Sequence, residues 1–260
     1  MTTPCDPTQA PAADSVQKIQ EELAGITLDP PSNGAVSHKC ETANEPMPTN
    51  VNYTDGASIL ENSVKMMLFG GAISCSFPPR YGDISDFRDV PNNQEAFVDP
   101  NRDESFIIEL LELKENVADA GSARWFLEDL AVEQAFENTL IVEDESRIPA
   151  ANIPNLEANT TVNAVIGTME IAKGRQGVEA SNNVRVYLAN IRLRVVETDI
   201  LITVYEPLNI SEHSESAAAV GAGATLPAAQ AGLLPAADVF KQVLSTFRIH
   251  DWSLFGYVDE

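Results

Sequence analysis

Asp103-Glu104-Ser105-Phe106-Ile107-Ile108-Glu109-Leu110-Leu111-Glu112-Leu113 is the stretch that decides the fold. Its apolar run, rich in β-formers and punctuated by acids, predicts a buried or half-buried strand over Ser105 to Leu113. Just upstream lies Asp86-Phe87-Arg88-Asp89-Val90-Pro91-Asn92-Asn93-Gln94-Glu95. Its charge, its proline and its Asn-Asn pair make it a surface loop and not a core element. An acidic loop anchored beside a rigid strand displays carboxylates to a partner. Glu109 and Glu112 are three apart, so on a strand they point to opposite faces, which argues against a two-carboxylate catalytic pair. Glu109 is expected to pair with a cross-strand Arg or to face the surface.

Working outward, Phe69 to Phe77 reads as a first strand, ended by Pro78-Pro79. Gln94 to Val98 reads as a second, short one. Ser122 opens a helix whose Phe126, Leu127, Leu130 and Ala131 share one face. Thr139 to Val142 and Val162 to Ile171 are further strands, the latter followed by a turn at Lys173 to Gly177. Val184 to Val196 and Ile200 to Tyr205 are long and β-branched, with a tight hairpin expected at Glu197-Thr198-Asp199. Phe240, Val243, Leu244 and Phe247 follow helical spacing after Pro235. The expected architecture is α+β: a central antiparallel sheet of about six strands flanked by helices. Residues 1–66 read as a disordered acidic tail, 67–260 as the folded domain, and 211–237 as a low-complexity Ala/Gly loop insert. Within the tail, Val16, Ile19, Leu23 and Ile26 lie near helical spacing.

The chain has 260 residues, 44% of them hydrophobic, with a net charge of −23. Tyr81 to Glu145 holds 18 Asp and Glu against 4 Lys and Arg, so much of that charge sits in a quarter of the chain. This repels nucleic acid and anionic membranes and favours basic protein partners. The N-terminus lacks the basic and apolar regions of a secretory signal, and its acids argue against a transit peptide. Cys5, Cys40 and Cys75 are dispersed, which fits a reducing compartment better than a disulfide framework. His38, His213 and His250 are dispersed too, so no metal site or cofactor is expected. No P-loop, dinucleotide fingerprint or nucleophile elbow occurs. These residues read as a protein-binding module without catalytic chemistry of its own.

The pattern Leu68-Phe69-Gly70-Gly71-Ala72, then Asp86 through Glu95, then Ile108-Glu109-Leu110-Leu111-Glu112-Leu113 resembles the Ran guanine nucleotide release factors. The resemblance continues in Arg124 with Glu128-Asp129, in Ile171-Ala172-Lys173, in Thr198-Asp199-Ile200-Leu201 and in His250-Asp251-Trp252-Ser253-Leu254-Phe255-Gly256. It implies a sandwich of helices on an antiparallel sheet, shared with PsbP-type photosystem subunits. It implies a nuclear-transport protein that binds the small GTPase Ran and promotes nucleotide release; a monomer located in nucleus and cytoplasm is expected. The Ran-binding residues it implies are Asp86, Asn92 and Glu95, with Asp83, Arg88 and Asp89 beside them. Asn92 stands where the family usually carries an acid. The rival readings are a PsbP-like photosynthetic subunit, a hydrolase built around His250, and a general acidic adaptor for basic proteins.

Overall fold

The computed structural model describes residues 61–87, 89–154, 156–172 and 177–256. The expected helical spacing in the tail, most of the Lys173 to Gly177 turn, and Arg88 lie outside these residues. The strands are β1 (Val64–Leu68), β2 (Ile73–Phe77), β3 (Gly82–Asp83), β4 (Gln94–Asp99), β5 (Glu104–Glu112), β6 (Ile141–Arg147), β7 (Thr161–Ala172), β8 (Ser181–Leu193), β9 (Thr198–Ile210), β10 (Gly223–Ala224) and β11 (Arg248–Ile249). The α-helices are α1 (Ser122–Glu133), α2 (Ser216–Val220) and α3 (Ala236–Thr246).

The large sheet is antiparallel, in the order β3-β4-β5-β9-β8-β7-β6, with β10 added to β9. Among the described residues it has eight strands rather than about six; the two beyond the expected ones are β3 and β10, which at two residues each are too short to give a periodic signal. A second sheet, β1-β2-β11, packs beside it.

The large sheet is covered on both faces, which explains why β5, β8 and β9 are apolar at successive positions. On one face, Phe126, Leu127, Leu130 and Ala131 of α1 pack on Ile107, Val165, Val186 and Leu201. On the other, Val239, Phe240, Val243 and Leu244 of α3, with Ile73, Cys75 and Phe77 of β2, pack on Phe106, Ile108, Ile191 and Ile202. Phe77, Phe97 and Phe106 form an aromatic knot there, with ring centroids 4.8 to 5.7 Å apart. Gly167 on β7 lets α1 approach closely: a Cβ would stand 2.9 Å from Leu127 Cδ2 and 3.1 Å from the Ile141 carbonyl oxygen.

Several boundaries move. The expected Phe69 to Phe77 strand is broken, because Phe69, Gly70 and Gly71 all take positive φ (49°, 66° and 99°). Those residues form a short 3-10 turn joining β1 to β2, and β1 begins upstream of the expected boundary. The Thr139 strand starts later, at Ile141, after a 3-10 turn at Glu137–Thr139. The long β8 ends at Leu193, and Arg194–Val196 with left-handed Glu197 makes the hairpin turn. Asp199, expected in that turn, lies inside β9 and is fully buried. The stretch 211–237 carries α2, β10 and a 3-10 turn at Ala228–Ala231.

Two buried ion clusters fasten the layers. Arg192, 1% exposed, bonds Asp199 at 3.0 Å and the carbonyls of Val117 and Lys114 at 2.7 Å each. It therefore fixes the β5–α1 connection to the end of the sheet. Arg80 joins Glu61, Asp99 and Glu104 at 2.6 to 3.0 Å and also bonds the Leu234 carbonyl.

Candidate functional site

The β3–β4 connection is an acidic loop with both ends tied to the core. Ile84 is buried against the α1 side and donates its N–H to the Ala96 carbonyl. Asp83 Oδ1 accepts the Ser85 N–H at 2.8 Å, and Phe87 N–H closes a turn onto the Ile84 carbonyl. At the far end Gln94 N–H bonds the Pro91 carbonyl, and Asn93 is paired to Leu110. Asn93 Nδ2 donates to the Leu110 carbonyl at 3.1 Å, while Leu110 N–H donates back to Asn93 at 2.8 Å. With its ends held, the loop presents Asp83, Asp86, Asp89 and Asn92, all exposed, and Phe87 with 59% of its surface in solvent.

Asp83, Asn92 and Glu95 share one open depression of about 420 Å³, walled by the Phe69–Gly70 turn and by Leu254 near the C-terminal end. Asp86 and Asp89 do not line it; they sit further out on the bend. The sequence reading did not include Phe69, Gly70 or Leu254 among the site residues. For Phe69 and Gly70 the signal was the Phe-Gly-Gly triplet, whose left-handed turn only becomes a wall once β1 and β2 fold beside β4; for Leu254 the local sequence carries no such signal.

Glu95 is half-buried in this depression, and its Oε1 accepts the Phe69 N–H at 2.5 Å. A carboxylate thus holds the turn containing Phe69 in a left-handed conformation that L side chains disfavour. Burial lifts the Glu95 carboxyl above its ordinary range; the Phe69 N–H opposes this, and neighbouring Asp83 raises it further. A cation approaching the depression meets Glu95 at its floor, Asp83 and Asn92 at its rim, and apolar Leu254, Val90 and Pro91 suited to an aliphatic stem.

Three other polar groups singled out by the sequence are held within the fold. Glu109 neither meets an Arg nor faces the surface: it is buried and paired with Gln94, because the sheet is covered by α1 on that face. Glu112 is exposed, so these two carboxyls do diverge. Ser74 Oγ lies 2.8 Å from His250 Nε2, yet Ser74 is 1% exposed within β2, so the contact fastens β11 to the sheet. The Cys75 thiol is buried, and burial, aided by Glu95, pushes it up to about 12, so it is held protonated and inert.

A helix-covered antiparallel sheet, with a carboxylate-lined depression at the end of a held loop, defines the molecule as an α+β protein. Its sequence matches the family described as Ran-interacting Mog1 protein over residues 66–207. The Ran guanine nucleotide release factor of Danio rerio is 37% identical over 191 residues, covering 73% of this chain and 98% of that protein. The human Ran guanine nucleotide release factor is 31% identical over 189 residues, covering 73% of this chain and 95% of that protein. The crystal structure of the Saccharomyces cerevisiae Ran-binding protein Mog1p superposes with a TM-score of 0.53 at 22% identity, over 75% of this chain and 99% of that one. That likeness concerns the fold. The chain belongs to the Ran-interacting Mog1 family.

Proposed function

We propose that this protein binds Ran and promotes release of its guanine nucleotide, in support of nucleocytoplasmic protein transport. Family membership supports the partner. The observation that carries the site is the meeting of Asp83, Asn92 and Glu95 in one depression, with Asp86 and Asp89 on the adjoining bend and Arg88 between them in sequence. Such a surface suits a basic patch on a GTPase. The protein acts in nucleus and cytoplasm as a monomeric regulator, without a cofactor and without contacts to nucleic acid or membrane.

A small GTPase holds its nucleotide through Mg²⁺, a P-loop lysine and backbone N–H groups. Carboxylates docked nearby compete for the lysine and disfavour the metal-bound phosphates. No covalent step is required. If empty Ran is bound more tightly than loaded Ran, linkage obliges the protein to lower nucleotide affinity by the same factor, typically about 5–150-fold. The test loads Ran with a fluorescent guanine nucleotide and follows its loss with and without Mg²⁺. Accelerated loss, weakened at high salt, is expected. A release rate unaltered at every concentration of this protein would refute the reading.

A further inference from the structure

Glu109 is 2% exposed on β5, and its register partner on β4 is Gln94, 4% exposed. Gln94 Nε2 donates to Glu109 Oε1 at 2.6 Å, while Gln94 Oε1 is buried without a donor. An ionised carboxylate only accepts, so a charged Glu109 leaves that amide oxygen unsatisfied beside it, which is costly in a buried place. A neutral carboxyl has one O–H to give. Donated to Gln94 Oε1, it closes a reciprocal acid–amide ring that satisfies both side chains.

The surroundings favour the same state. Across β9 the register partner is apolar Leu201, and the charged group that bears on Glu109 from α1 is another acid, Glu133. Among the described residues no ion pair reaches Glu109. Burial first, then Glu133, lifts its carboxyl to about 7 against the lowering pull of the Gln94 hydrogen bond.

We propose that Glu109 is a positioning residue for the acidic loop: it is held as a neutral acid in a reciprocal pair with Gln94, and its ionisation unfastens the loop. Gln94 is the first residue of β4, Asn93 before it is tied to Leu110, and Glu95 follows it in the depression. Parting β4 from β5 at this end relieves the orphaned amide and displaces Asn92 and Glu95 together. The neutral form is the one the fold favours. Stability from this group is therefore present at low pH, is lost as pH rises from the ordinary 4.5 through about 7, and is level above.

The partner-binding consequence rests on the Ran reading; the protonation itself does not. The test compares the full chain with Glu109→Gln, whose amide reproduces both hydrogen bonds but cannot ionise. Calorimetry against Ran should show wild-type affinity falling about three- to tenfold between about pH 7 and about pH 8, with Glu109→Gln lacking this fall. An equal fall in both proteins overturns the proposal. If wild type binds Ran at no pH, the Ran reading has failed. Glu109 is then judged by thermal unfolding, where wild type should lose stability relative to Glu109→Gln from about pH 5 to about pH 8. Parallel curves would overturn it. If the variant does not fold, infrared spectroscopy of wild type decides: a buried protonated-carboxyl band that titrates near neutrality supports the proposal, and no such band overturns it.

Discussion

Glu95 braces the Phe69 turn and is proposed to meet the partner, and a pair of substitutions separates the two. Its carboxylate accepts the Phe69 N–H at 2.5 Å, and it offers negative charge at the floor of the depression. A hydrogen bond to a charged group contributes about 1.5–3 kcal/mol. Phe69 stands at φ 49°, and a left-handed L residue costs about 1–2 kcal/mol, so this bond offsets strain of similar size. Glu95→Ala removes both bond and charge. Because Glu95 is only half-buried, water replaces part of the bond, and the loss should fall near the lower figure, about 1.5 kcal/mol. For a domain of this size that lowers the melting temperature by about 3–6 °C. Glu95→Gln keeps an acceptor for Phe69 and loses only charge, so its stability cost should stay below about 1 kcal/mol. Toward a basic partner the two variants should be alike, each weakened about tenfold or more. Calorimetric melting and Ran titration provide the two readouts. Equal melting temperatures for the two variants would refute the brace. Wild-type affinity in Glu95→Gln would refute the charge.

Further outcomes follow from the same geometry. Asn92→Asp adds a carboxylate to the rim and should accelerate nucleotide release, with a steeper salt dependence, measured in the fluorescent-nucleotide assay. Since the Glu95 carboxyl is raised by burial, Ran affinity should decline as pH falls through mildly acidic values, and Glu95→Gln should flatten that limb in titrations. Arg192→Ala strands Asp199 in a buried site and frees the carbonyls of Lys114 and Val117; denaturant unfolding should show a loss of about 3–5 kcal/mol. Gly167→Ala drives a methyl into Leu127 and the Ile141 carbonyl, and the same assay should show a loss of about 1–3 kcal/mol.

Local pattern was informative where one short stretch determines its own state. The β-forming run at Phe106 to Ile108 is a strand, and α1 and α3 bury the faces their spacing designated. The break at Phe69 to Gly71 escaped the strand reading, because hydrophobicity ranks that triplet with its neighbours while backbone sterics set it apart. The fate of Asp199 was equally hidden: an acid beside a hairpin resembles a turn residue until Arg192 meets it across the sheet. Glu109 shows the same limit, since alternation along a strand says that it faces away from Glu112 but not that a helix covers its side.

The sequence alone determined the charge, the exposed acidic loop, the α+β class and the resemblance that led to Ran, because composition, turn chemistry and periodicity are local or additive properties. Only the tertiary structure decided that Asp83, Asn92 and Glu95 meet in one depression walled by a distant turn, that Glu95 braces that turn, and that Glu109 is buried against an amide. Those facts depend on which strands become neighbours and which faces are covered, and strand register and layer packing are set by contacts far apart in the chain.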